Sequence, residues 1–278
     1  MEDKIREYLY YLEKLNMSQS TLKTYNVALQ AYSIFLKKHG IECEKATMQT
    51  ILDYKKNLES MEYRRNSIRT KLFIVRSFYD FLAYVGCIEG NPCPKAIIPR
   101  EEIGTVRAME KESLNIVLAY IEEKEIYIRV LFYIMLYAGL RVGEVAELEN
   151  KDIRVFRNKL LISVPAKIAK GGKSRTAPYI DSHTSEILLD HVKNNPYKKI
   201  SRISRRTIQY HARQISSATG IKFTCHVLRH NYATTLLEQG VRMDIIQESL
   251  GHKNIDTTRR YAETLLHNVV NVAAKINK

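Results

Sequence analysis

Three of the chain's six prolines fall between residues 86 and 107, in the stretch GCIEGNPCPKAIIPREEIGTVR, and none precedes it. Proline inside a helix removes a backbone donor and clashes with the preceding turn, and glycine adds chain entropy, so no regular helix runs through such a stretch. It divides the 278 residues into a unit over 1–88, an extended linker over 89–107 and a second unit over 108–278, each long enough to bury a core of its own.

The first unit reads as four helices. Residues 3–15 are amphipathic. Ser18-Gln19-Ser20-Thr21 then caps a helix that runs to about Lys38 and stops at Gly40. A third covers about 47–59. The fourth, about 64–85, places Ile68, Leu72, Val75, Tyr79 and Leu82 on one stripe and ends at Gly86. Four helices in so short a span make a small bundle.

The second unit opens with helices over about 110–123 and 124–138, with a third beginning after Gly139. The one strong strand signal follows. Asp152–Phe156 and Lys159–Val164 flank Arg157-Asn158, Arg175–Ile180 can pair as a third strand, and Ala169-Lys170-Gly171-Gly172-Lys173 forms a basic turn between the last two. The remainder is helical. The fold class is therefore mainly α, with a small antiparallel β-sheet in the second unit.

Lys and Arg number 44 against 30 Asp and Glu, a net charge of +14. Residues 1–98 carry 15 and 11 of these, and the other 180 carry 29 and 19, so the second unit holds +10 of the excess. Residues 153–180 and 191–237 contain seven and nine Lys/Arg and no acid. A solvated face would mix both signs, because like charges repel at helical spacing; runs free of acid fit a surface that meets phosphates. Other classes are disfavoured. The longest nearly unbroken apolar run, Val130–Leu140, is too short to cross a bilayer, and the acidic first residues do not form a signal peptide. Cys43, Cys87, Cys93 and Cys225 form no C-x-x-C pair, so a reducing, cytoplasmic location without disulfides or structural zinc is expected. There is no G-x-x-x-x-G-K-[ST] string and no carboxylate cluster suited to magnesium, so neither metal nor cofactor is expected.

Three segments carry the chemistry. In His226-Val227-Leu228-Arg229-His230, His226 and Arg229 share a helix face, and the Arg fork can grip two phosphate oxygens while Leu228 packs inward. In Tyr137-Ala138-Gly139-Leu140-Arg141-Val142-Gly143-Glu144, Gly139 permits a sharp turn and Arg141 enters the first turn of a new helix. A cation there is disfavoured by the helix dipole, which implies an anionic partner, either a phosphate or Glu144 three residues on. In Leu250–Tyr261 (LGHKNIDTTRRY), Gly251 ends one helix and Tyr261 lies on the next. A phenol is a weak nucleophile near neutral pH and needs a base and a positive field, which two Arg, two His and a Lys supply. Together these point to phosphoryl transfer at a phosphodiester, with side-chain cations meeting the transition-state charge.

The order R…K…H-x-x-R…H…Y resembles the tyrosine recombinases, the lambda-integrase and Xer-like site-specific recombinases, over nearly the whole chain. Residues 137–148, 226–236 and 250–261 match the family's three boxes in order, behind a helical N-terminal domain. The resemblance implies a two-domain DNA clamp and these roles. Tyr261 attacks the scissile phosphate and forms a 3′-phosphotyrosyl link. Arg141 and Arg229 hold the non-bridging oxygens. His226 and His252 hydrogen-bond the phosphate, His226 also accepting a proton. Glu144 orients His226 from behind. Lys170 protonates the leaving 5′-oxygen. The family's turn G-K-G-x-K-x-R reads here as Ala169-Lys170-Gly171-Gly172-Lys173-Ser174-Arg175. The lost leading glycine leaves Lys173 and Lys167 as alternatives for the acid. Lys173, Arg175, Arg205 and Arg206 are expected on the DNA backbone, as are Arg64, Arg65, Arg69, Lys71 and Arg76 of the first unit. The tail beyond Tyr261 carries an apolar stripe that packs on its own domain or on a neighbouring protomer; a homo-tetramer on paired sites follows from the second. The implied partner is double-stranded DNA at specific sites, with no membrane. Xer-like resolution of chromosome dimers and integration of a mobile element share this chemistry. A relaxing topoisomerase of the same mechanism and a non-catalytic accessory DNA-binding protein are the competing functions. The small size and helical N-terminal domain argue against the first, and the intact set of six residues against the second.

Overall fold

The computed structural model describes residues 1–102 and 108–251. The chain divides into two compact units, with the break between Gly104 and Thr105.

The first unit is built from α1 (Glu2–Lys14), α2 (Gln19–Lys38), α3 (Met48–Ser60) and α4 (Arg65–Tyr84). Ser18 caps α2 by accepting from the Thr21 amide, and Thr47 and Thr50 close a capping box on α3. The whole predicted stripe of α4 is buried, packed on Tyr8, Leu29, Tyr32, Ile51 and Tyr54. This core is aromatic, and two of its hydroxyls are satisfied internally: Tyr32 and Tyr79 share a hydrogen bond of 2.9 Å, and Tyr79 donates to the Cys43 carbonyl, while the buried Tyr54 hydroxyl has no partner among the described residues. The expected linker behaves otherwise over its first part. Cys93 is fully buried in this core, Ile97 and Ile98 pack against it, and Asn91 donates to the Arg76 carbonyl at 2.8 Å. The apolar residues between the prolines give the segment a reason to fold back on α4, and its backbone groups find partners there.

The second unit contains α5 (Lys111–Glu122), α6 (Ile126–Tyr137), α7 (Val142–Val145), β1 (Ile153–Phe156), β2 (Lys159–Val164), β3 (Arg175–Pro178), α8 (Ser182–Asn194), α9 (Arg205–Thr219), α10 (Cys225–Glu238) and α11 (Met243–Leu250). Val130 to Met135 are all buried, so α6 is apolar all round and forms the unit's centre, packed against α10, α8 and α5. The sheet is an antiparallel meander in the order β1-β2-β3. Arg157 and Asn158 both take positive φ, the conformation of a tight two-residue hairpin turn. β3 stops at Pro178, short of the expected Ile180. Beyond it the Ile180 amide donates to the Tyr137 carbonyl at the end of α6 instead of continuing the ladder. The ten residues between β2 and β3 include Lys170 and, at positive φ, Gly171 and Gly172.

Candidate active site

The expected arginines converge at the carbonyl end of α11. Gly139 (φ +65°) turns the chain after α6 and Leu140 is buried, which leaves Arg141 as the residue that caps α7. The position is one residue earlier than expected, because its backbone is extended (φ −75°, ψ 146°). Arg141 donates through Nη1 to the Leu250 carbonyl and through Nη2 to that of Gly251, each at 3.4 Å. Arg229 reaches the same place from α10. It is only 4% exposed and donates through Nη1 to the Gly139 carbonyl at 2.5 Å and through Nη2 to the Leu250 carbonyl at 2.6 Å. Two guanidiniums thus share one acceptor oxygen. The aligned dipoles of α11 make that end negative, which suits them.

Glu144 is 2% exposed and anchors the arrangement. Its carboxylate accepts from the Arg141 backbone amide at 2.8 Å and from Arg141 Nη1 at 3.0 Å. Arg175 adds a fork, Nη1 to Oε1 at 3.0 Å and Nη2 to Oε2 at 2.6 Å. Burial opposes ionisation of Glu144. The bonds and charges of Arg175 and Arg141 outweigh it and hold the carboxyl at about 2. Two expectations are corrected here. Glu144 engages Arg141 and Arg175 rather than His226. Arg175, expected on a DNA backbone, has a side chain only 5% exposed and is consumed by Glu144 and by the Ser249 carbonyl, to which Nε donates at 2.8 Å.

His226 lies in the first turn of α10 with its side chain exposed. Desolvation by the surrounding protein, then the charges of Arg229, Arg141, Arg205 and Lys170, hold its pKa below the ordinary 6.5. Lys170 is exposed on the β2–β3 turn and close enough to act on His226. Of the alternatives, Lys167 is paired with Glu149 at 3.0 Å, and Lys173 is exposed on the turn. His230, one turn beyond His226, is held at about 4 by burial and by His226 and Arg229. His252 and Tyr261 lie outside the described residues.

Arg205 and Arg206 are exposed at the start of α9, with the Arg205 side chain beside Gly143. In the first unit Arg64 and Arg65 are exposed and Arg69 half-buried. Lys71 sits over the Tyr63 ring, 4.8 Å from its centroid, and lines a groove of about 740 Å³ between α2 and α4 with Lys23, Asn66 and Thr70. Arg76 departs from its expected place on a DNA-facing surface. It is half-buried, donates to the Cys93 carbonyl and lies near Asp80, because the folded-back segment covers it. Among the described residues no helix is long and apolar enough to cross a membrane, and no group of three His, Cys, Asp or Glu is placed to hold a metal ion.

Sequence reasoning missed the roles of Arg175 and of the Gly139 and Leu250 carbonyls. Backbone acceptors leave no trace in a sequence. A signal for Arg175 did exist: a carboxylate amid Leu140, Val142, Val145 and Leu148 needs a buried cation.

The chain is similar to known proteins over most of its length. The sequence profile of the phage integrase family matches residues 107–266, and that of the phage integrase N-terminal SAM-like domain matches residues 5–85. Tyrosine recombinase XerC of Staphylococcus epidermidis is 27% identical, over 93% of this chain and 92% of its own. Tyrosine recombinase XerA of Thermococcus onnurineus is also 27% identical, over 95% and 92%. Among solved structures, a lambda integrase dimer bound to a COC′ core site matches with a TM-score of 0.75 at 17% identity, covering 95% of each chain. At that identity the match concerns the fold.

Proposed function

Given that the chain belongs to the phage integrase family, the tyrosine recombinases, we propose that it cuts and rejoins duplex DNA at specific sites through a 3′-phosphotyrosyl intermediate. The observation that carries this reading is the shared acceptor. Arg141 and Arg229 both reach the Leu250 carbonyl oxygen, so their guanidiniums are close enough to grip one phosphate together. Two fixed cations can then meet the charge that develops on the non-bridging oxygens, the task that metal ions perform elsewhere.

In the proposed step the Tyr261 oxygen attacks the scissile phosphorus as the bond to the 5′-oxygen breaks. The phenol proton passes to His226, which a lowered pKa keeps neutral and able to accept it. Lys170, free on its turn to enter a groove, gives a proton to the departing 5′-oxygen. His252 completes the contacts to the phosphate. Rejoining reverses each transfer, and the phosphotyrosine bond conserves the energy, so neither ATP nor metal takes part. Lys173, Arg205 and Arg206 hold the DNA backbone, with Arg64, Arg65 and Arg69 of the first unit and Lys71 from the α2–α4 groove.

The relatives named XerC and XerA, matched along nearly their whole lengths, support a Xer-type task, the resolution of chromosome dimers, over integration of a mobile element. The same reading includes a homo-tetramer on paired sites and a cytoplasmic location. The test is covalent capture from a pool of nicked duplexes with a randomised core, in excess EDTA. The wild-type chain is expected to retain DNA after denaturation and Tyr261→Phe to retain none. A strict magnesium requirement, or an adduct that survives Tyr261→Phe, refutes the proposal.

A further inference from the structure

Arg175 begins β3, directly after the turn that carries Lys170, yet it does not reach for solvent. All three of its guanidinium nitrogens are used inside the protein, two on Glu144 and one on the Ser249 carbonyl. Its aliphatic part lies along Gly251, where a Cβ would come within 2.9 Å of Arg175 Cδ. A single side chain therefore joins the β2–β3 turn, α7 and the end of α11.

The charge count gives this junction a consequence. Glu144 contributes −1 and lies between two guanidiniums that contribute +2. If Arg141 were its only partner, the pair would be neutral and would offer a phosphate little net attraction. With Arg175 taking the fork, the buried cluster keeps +1. Arg141 is the partner with more solvent access, its side chain 18% exposed against 5% for Arg175. The positive charge therefore stands on the arginine that meets the phosphate.

We propose that Arg175 is a positioning residue for DNA cleavage: it neutralises Glu144 so that Arg141 keeps its charge for the scissile phosphate, and it ties the Lys170 turn to the end of α11. The proposal rests on the recombinase reading above. It is tested with the full chain as wild type, Arg175→Met and Arg175→Lys, on the captured nicked duplex and on the same duplex carrying a neutral methylphosphonate at the scissile position. Adduct rate in single turnover, duplex affinity and thermal melting are read for each. Affinity is expected to hold within about twofold, since few of the many backbone contacts change. The rate of Arg175→Met on the phosphodiester falls on the order of 10- to 100-fold, as for outer partners that orient metal ligands. Arg175→Lys, which keeps the charge and loses the fork, falls between. The deficit shrinks on the methylphosphonate, which has one charge fewer to be met. An unchanged rate, or an equal deficit on both duplexes, overturns the proposal. If Arg175→Met does not fold, the same ratio is read from Arg175→Lys. If the wild-type chain forms no adduct, the recombinase reading falls and takes this proposal with it, a result distinct from equal rates in wild type and variant.

Discussion

Substituting Gly139 by alanine tests whether the turn before Arg141 is built to hold both arginines. The residue sits at φ +65°, and an added Cβ would lie 2.4 Å from Tyr232 Cδ1, 2.9 Å from Cε1 and 3.0 Å from Leu250 Cδ2. The ring has little room to retreat. Tyr232 is fully buried, and its hydroxyl bonds the Pro178 carbonyl at 3.2 Å and Ser249 Oγ at 2.9 Å. The left-handed conformation costs alanine about 1–2 kcal/mol, and forcing a methyl into a packed core costs about 1–3 kcal/mol. Gly139→Ala should therefore lose roughly 2–5 kcal/mol in all. Gly220 provides the control, with φ +68° and no atom within 4 Å of an added Cβ, so Gly220→Ala should lose only the backbone cost of about 1–2 kcal/mol. Urea unfolding by circular dichroism, with hydrogen exchange of the α10 amides to isolate the second unit, measures both. Because the Gly139 carbonyl accepts from Arg229, adduct formation should fail in Gly139→Ala and persist in Gly220→Ala. Equal destabilisation of the two variants would refute the reasoning, since the ring would then have yielded.

Three further outcomes are expected. Glu144 has a folded pKa lowered from 4.5 to about 2, so its contribution is complete above pH 4.5 and is lost as pH falls toward 2. The loss is on the order of 3 kcal/mol; acid unfolding of wild type beside Glu144→Gln checks it, and parallel curves across that window would contradict it. His226 is shifted below 6.5, so the acid limb of kcat/KM for adduct formation should lie under that pH, and a limb above it would remove His226 as the base. Arg76→Ala should destabilise the first unit by about 1–3 kcal/mol, the cost of leaving a covered acceptor unpaired. It should also leave the salt dependence of DNA binding unchanged, whereas a shallower slope would return Arg76 to the DNA surface.

The helices of both units were legible because their apolar spacing and caps are local signals. The α4 stripe from Ile68 to Leu82 and the Ser18 cap appear in the structure as the pattern requires. Leu228 is buried while its neighbour His226 stays exposed, as two faces of one helix demand. The misread residues are those whose partners lie far along the chain. Arg175 looked like part of a basic surface because its anion, Glu144, stands 31 residues earlier. Arg76 looked like one more cation on a charged helix because Cys93, 17 residues on, covers it only after the proline-rich segment folds back. Proline and glycine excluded a helix there, and that exclusion left open whether the segment would pack.

The central claim is that one phosphate is gripped by Arg141 and Arg229 and attacked by Tyr261. Mass spectrometry of the nuclease-trimmed, protease-digested adduct tests it most directly. The peptide bearing Tyr261 should carry a nucleotide joined through its 3′-phosphate, with the released strand ending in a 5′-hydroxyl. A nucleotide on any other residue, or a 5′-phosphate linkage, would contradict the account.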